Sequence, residues 1–303
     1  MRHLRICLTT LIFFALISWA GAHQKVVVVP LQGSSGTNLD NIITVSPQGG
    51  DFTSPVAAVN SISGNSSTNR YLVFIGPGVY TLTQPLVLKS YVDVRGSGED
   101  ATILTGSISS STIGPSSAMV VGATFSGLAD LSIRNTGGGN YSTGIYNSGA
   151  TYDISNVDVQ AWGSALGAFG TCASYGVYNS NSSHPTISNS YLYGSGRWAY
   201  GIYNDNSNPA LKYVELAAWV NEGSVSSAGY GISSNNSSYP TIRYSMISGP
   251  SYGLQQDGGS VRVSYSTIIN SKDTGGSPDI ECMYSDNGLG SMLDVDCSTL
   301  MAP

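Results

Sequence analysis

The sequence predicts an all-β chain wound as a right-handed parallel β-helix. Three observations carry that expectation: a composition poor in charge and rich in turn formers, a repeated unit, and short runs that alternate apolar with polar residues. Only 10% of the 303 residues are charged, while 37 are glycine and 19 are tyrosine. That mixture is weak helix material and suits short strands joined by tight polar turns.

The repeats are aligned on Gly144, Gly176, Gly201, Gly231 and Gly253, at intervals of 32, 25, 30 and 22 residues. Ten or eleven residues after each glycine comes an aliphatic residue: Ile154, Ile187, Leu211, Ile242 and Val263. A constant interior with a variable period places the insertions in loops. One unit cannot bury its inward face alone, so stacked units must build the core and the ends need caps.

In order along the chain, residues 1–22 hold Arg2 and Arg5, an apolar run from Ile6 to Ala20, and Ala20-Gly21-Ala22 at a small-x-small cleavage position. They read as a secretory signal, with the mature chain starting near His23 and located outside the cell or at its surface. Cys7 lies within the apolar run, so no lipid-anchor cysteine stands at the cut, and no later stretch is apolar long enough to insert in a membrane. Residues 23–41 form an extended segment in which "QKVVVVP" reads as a docking strand.

The β-helix is expected over 42–270. Near its start, Ser54 is placed as a helix N-cap, Pro55 at the first helical position, and Val56, Val59 and Ile62 on one face, giving a capping helix over about 54–62. Residues 271–303 are expected to cap the other end. There a Cys282–Cys297 disulfide would close a short loop in an oxidising compartment. Cys172 is then left over, either as a buried small apolar group or as a reactive thiol.

Within each repeat, alternation points Ile145, Val177, Ile202, Ile232 and Leu254 inward and Tyr146, Tyr178, Tyr203, Ser233 and Gln255 outward. Tyr146, Tyr178, Tyr203 and Gln255 are therefore the candidate ligand-binding row, since flat rings with a polar tip suit sugar faces and hydroxyls. The same stacking would also serve to stabilise an exposed sheet. The next position, Asn147, Asn179, Asn204, Ser234 and Gln256, reads as a hydrogen-bonded amide ladder. Asn156 and Asn189 mark a second turn, where later repeats place Tyr213, Tyr244 and Tyr265.

Charge narrows the partners. Without Arg2 and Arg5 the chain keeps 10 basic against 18 acidic residues and has no basic cluster. This argues against nucleic acid, whose phosphates need a positive track, and favours a neutral polysaccharide or cell-surface glycan over polyuronides. No cofactor or metal-ligand set is expected. His184, before Pro185, reads as a solvated turn residue, and "GSGEDA" at 96–101 is followed by the β-like "TILTG", so it is a turn and not a phosphate loop.

The stretches "ITVSPQGGDFTSPVAAVNSI", "YLVFIGPGVYTL", "VDVRGSGEDATILTG" and "ATFSGLADLSIRNTGGG" resemble the N-terminal half of the pectin methylesterases, a family with the pectin-lyase-like β-helix. Gly50-Asp51-Phe52, Pro77-Gly78-Val79-Tyr80 and Ile133-Arg134-Asn135-Thr136 match that family's motifs, and the resemblance spans roughly 42–166. It implies the fold. It does not carry the activity, because the family's catalytic Gln-Asp falls where "SNVDVQAWGSAL" has Trp162 and Gly163, and the later Asp and Arg-x-Trp have no counterpart. The remaining acid–base candidates are Asp158, Glu215, Arg197 and Lys212, provided that loops bring them together. Three functions stay open: non-catalytic glycan recognition, a divergent esterase, lyase or glycosidase, and a purely structural shaft.

Overall fold

The computed structural model describes residues 41–163, 172–220, 227–269, 272–274, 279–288 and 292–293. The expected signal, nearly all of the extended segment and Cys297 lie outside them. The named strands pair in parallel throughout, coil upon coil, as in a parallel β-helix. Strand Ala173–Ser180 lies between Tyr141–Ser148 and Trp198–Asp205, and strand Thr186–Gly196 lies between Asp153–Trp162 and Ala210–Val220.

Each repeat enters the same register. Ile145, Val177, Ile202, Ile232 and Leu254 pair in one row, and Ile154, Ile187, Leu211, Ile242 and Val263 in another; all ten are at most 2% exposed. Burial of such aliphatics, at roughly 1.5–3 kcal/mol each, is the main stabilising force. The repeat glycines let neighbouring coils approach closely. A Cβ on Gly176 would stand 2.6 Å from the Gly201 carbonyl oxygen and 3.0 Å from the Tyr193 nitrogen, so the corner admits no side chain.

The amide row is a buried ladder. Tyr152 Oη donates to Asn147 Oδ1 at 2.8 Å, Asn147 Nδ2 to Asn179 Oδ1 at 2.7 Å, Asn179 Nδ2 to Asn204 Oδ1 at 2.8 Å, and Asn204 Nδ2 to Ser234 Oγ at 3.0 Å. Gln256 leaves it, donating instead to the Ser238 and Gly258 carbonyls.

At the second turn the backbone is left-handed in every coil from Asp130 onward. Asp130, Asn156, Asn189, Tyr213, Tyr244, Tyr265 and Tyr284 all have φ between 48° and 57°. Asn and Asp tolerate that region, whereas a larger L-residue pays about 1–2 kcal/mol. One residue on, serines repair the corner: the Oγ atoms of Ser190, Ser245, Ser266 and Ser285 accept from backbone N–H groups of the preceding coil.

The N-terminal cap is a helix over Pro55–Ser61 with Ser54 Oγ accepting from Ala57 N–H, and Val56, Val59 and Ile62 are buried beneath it. The three motifs shared with the esterases are structural here. Asp51 accepts from both Thr44 N–H and Thr44 Oγ1, and Tyr80 Oη donates to Gly76 and Val45 carbonyls. The Asn135 amide makes four bonds, to both the N–H and the carbonyl of Ile108, to Gly137 N–H and to the Thr143 carbonyl. The 96–101 segment is a turn leading into strand Thr102–Gly106.

At the far end, parallel pairing does not stop at 270. Lys272–Thr274 and Asp279–Met283 add strands to Tyr252–Ser264, so one further coil occupies ground expected to be cap. Cys282 lies on the last of these strands, and Cys172 is buried.

Candidate functional site

The expected ligand row is present, with its middle ring buried and Tyr146, Tyr203 and Gln255 partly exposed. Tyr146, Tyr178 and Tyr203 stack with centroids 5.6 and 5.2 Å apart and planes within 14°. Tyr178, however, is only 8% exposed. A second row, Tyr175, Tyr200 and Tyr230, runs three residues earlier in each repeat, and its first two rings meet the first row edge to face at 5.0–5.6 Å. Ile113 and Trp198 pack on the same cluster. Asn235 Nδ2 donates to Tyr203 Oη, and Gln255 Oε1 accepts from Ser233 Oγ. Tyr175 and Tyr178 belong to a small second cluster outside the aliphatic core, and Tyr146 and Tyr203 pack against it while staying partly exposed.

A second aromatic surface, partly exposed and most open at Trp219, lies on the outward face of strands Asp153–Trp162, Thr186–Gly196 and Ala210–Val220. Register places Asp158, Tyr191, Glu215 and Met246 in one line across it, Gln160, Tyr193 and Ala217 in the next, and Trp162, Ser195 and Trp219 in a third. The rings of Tyr191 and Tyr193 lie 6.0 Å apart at 15°, Trp162 meets Tyr193 edge-on at 6.5 Å, and Trp219 is 57% exposed.

Polar groups converge beside those rings. Gln160 Nε2 donates to both Asp158 oxygens at 2.9 Å. Burial raises the Asp158 carboxyl above the usual aspartate range and Asp100 adds to the rise, against the Gln160 bond and the Arg134 charge. Arg134, in register with Gln160, has a buried Nε without a hydrogen-bond partner. Glu99 is likewise raised, by burial and by the charges of Asp158, Asp100 and Asp130. The Tyr191 hydroxyl is pushed up to about 12, by burial first and then by Glu215, Tyr193 and Asp158. The face thus combines a flat aromatic floor with a carboxyl, an amide and a guanidinium.

Of the four acid–base candidates, Asp158 and Glu215 share this face, flanking Tyr191. Arg197 sits between strands Thr186–Gly196 and Trp198–Asp205, and Lys212 Nζ lies 4.9 Å from the Tyr213 ring centroid on the left-handed corner. Among the described residues no hydrogen bond or ion pair joins any two of the four. Tyr191, Tyr193, Trp219 and Arg134 were not singled out from sequence. Counting four residues on from Ile154, Ile187 and Leu211 gives Asp158, Tyr191 and Glu215, so the repeat alignment already held the first line.

No family model and no curated protein matches the chain. Solved structures do. A pectin methylesterase from Aspergillus niger, in deglycosylated form, aligns with a TM-score of 0.60 at 14% identity, over 87% of this chain and 91% of its own. One from carrot gives 0.60 at 14%, over 89% and 91%. A pectin methylesterase in complex with a hexasaccharide gives 0.55 at 14%, over 88% and 94%. At such identity the likeness is one of architecture: the chain has the parallel β-helix fold of the pectin methylesterases across nearly nine-tenths of its length.

Proposed function

We propose that this is an exported β-helix protein that binds polysaccharide without cleaving it, on the face lined by Tyr191, Tyr193, Trp162 and Trp219. The observation that supports this most is the grouping of those rings with Asp158, Gln160 and Arg134. Rings provide contact area at little entropic cost, and the polar groups supply hydrogen bonds to hydroxyls. The hexasaccharide complex of a structurally similar esterase is in keeping with a glycan ligand. Export through residues 1–22 and a Cys282–Cys297 bridge belong to the same reading, as does the Tyr146–Tyr178–Tyr203 row in the role of support behind the sheet.

The test is retention on a panel of soluble and insoluble neutral glycans. Tyr193→Ala with Trp219→Ala is expected to weaken binding by about tenfold, at ~0.5–1.5 kcal/mol per aromatic contact. Tyr178→Phe, which keeps the inner stack, is expected to leave it unchanged. Loss with Tyr178→Phe and none with the outer pair would move the site to the inner row.

One observation favours a hydrolase as the second reading. Asp158 and Glu215 lie two strand spacings apart, on the order of 9–10 Å across the sheet, and paired carboxylates about 6.5–9.5 Å apart suit inverting glycoside hydrolysis. Asp158, raised by burial, would be the acid and exposed Glu215 the base. That reading requires new reducing ends from some glycan, abolished by Asp158→Asn.

A further inference from the structure

The left-handed corner changes its residue type partway along the solenoid. Asn156 and Asn189 satisfy it with the side chain best suited to positive φ, yet the next four coils place Tyr213, Tyr244, Tyr265 and Tyr284 there. Those rings stack with centroids 5.2 Å apart at each step and planes within 20°, and they are 51, 44, 48 and 64% exposed. A residue whose backbone is locally unfavourable, repeated at exposed positions directly after two coils that use asparagine, gains no net stability once stacking offsets the strain and so leaves a surface open to another role.

Stacked rings hide their faces from a ligand and present their edges. The corner therefore offers a row of phenol rings, one per coil with centroids 5.2 Å apart, whose hydroxyl edges follow one another along the solenoid axis. Such a row matches a ligand whose own hydroxyls repeat at a similar distance in a straight line, as those of an extended polysaccharide chain do, once per sugar. Charge on its flanks is mixed: Lys212 and Arg243, in register, lie one residue before the ring row and Glu215 two after. Met246 and Met283 are exposed beside it. Tyr213 and Tyr244 precede Glu215 and Met246 of the aromatic face by two residues each, so the row borders that face and continues past it toward the last coil.

We infer that the four-tyrosine row is a second glycan-binding surface, one that engages long, extended, neutral polysaccharide in ordered or fibrous form and lays it parallel to the solenoid axis. This rests on the glycan-binding reading above and adds to it a preference for fibre over short oligosaccharide.

The experiment compares the secreted full-length protein with Tyr244→Asn/Tyr265→Asn and Tyr244→Phe/Tyr265→Phe. The probes are microcrystalline cellulose, chitin and insoluble xylan, each paired with its soluble hexasaccharide. Asn restores the residue already used at this corner, so the first variant keeps the fold. Its retention on the fibre that holds the wild type is expected to fall at least about fivefold, with binding to the soluble hexasaccharide unchanged. The Phe variant keeps the stack but loses two hydroxyls, and is expected to fall as well. Unchanged fibre retention in both variants overturns the inference while leaving glycan binding intact. So does a loss confined to self-association in sedimentation. Failure of the wild type to bind any probe removes the functional reading and this inference together.

Discussion

Two tyrosine rows in this molecule share one stacking geometry and differ in almost everything else. The row through Tyr146, Tyr178 and Tyr203 sits on ordinary extended strands, is flanked edge-on by Tyr175 and Tyr200, and buries its middle ring. The row through Tyr213, Tyr244, Tyr265 and Tyr284 sits on left-handed backbone and stands about half exposed. Centroid spacings of 5.2–5.6 Å within the first row and 5.2 Å in the second are set by the coil repeat, not by function. Stacking alone therefore says nothing of a role; cover and backbone cost do.

The largest effect expected from that contrast is in the inner row. Tyr178→Ala removes a covered ring from a packed cluster and is expected to cost about 3–5 kcal/mol, read as a fall in the denaturation midpoint with the m-value unchanged. A loss below about 1 kcal/mol would mean that the cluster is looser than its ring contacts imply.

Alkaline titration sharpens the same difference. Burial raises the Tyr175, Tyr178 and Tyr200 hydroxyls above their ordinary range, with neighbouring tyrosines adding to the rise. Folded phenols then stay protonated where unfolded ones ionise, near pH ~10. Their contribution is fully present below that pH and is lost as pH rises beyond it. The melting temperature is expected to hold up to pH ~10 and drop above it, with a shallower drop in Tyr178→Phe. A flat profile would show that these hydroxyls reach solvent.

The smallest effect is expected in the outer row. Tyr265→Asn trades one ring stack on each side for relief of left-handed strain, and the two nearly cancel: ring pairs are worth ~0.5–1.5 kcal/mol and the strain about 1–2. A change within about 0.5 kcal/mol is expected, the range of ordinary surface substitutions. A loss above 2 kcal/mol would make the row a structural spine and remove its claim to function.

Much of the fold could be read from the chain because the repeat is written in residues whose physics is local. Glycine at the tight corner, aliphatic residues at ten or eleven positions on, and asparagine in the ladder each have one good place in a coil. Ser54-Pro55 marks the capping helix for the same reason. The site was less legible. Alternation counted along one strand fails across the close-packed Gly176, so Tyr175 and Tyr178, three apart, end in one cluster. The face of Asp158, Tyr191 and Glu215 lies past a second reset at Asn156, Asn189 and Tyr213, where inward Val157 follows the left-handed residue. Asp158, Glu215 and Lys212 hold fixed register positions on their strands, whereas Arg197 falls between two strands. The esterase resemblance rests on Asp51, which braces the first strand, and on Tyr80 and Asn135, which tie neighbouring coils, so its motifs speak to architecture.

The account turns on whether the outward aromatic face holds a glycan and leaves it intact. The most direct measurement is a polysaccharide panel scored at once for retention and for released reducing ends, unsaturated uronates and methanol. Retention of at least one neutral glycan with no product, weakened by Tyr193→Ala with Trp219→Ala, is the expected result. Product release that disappears in Asp158→Asn, or the absence of retention on every glycan, would contradict it.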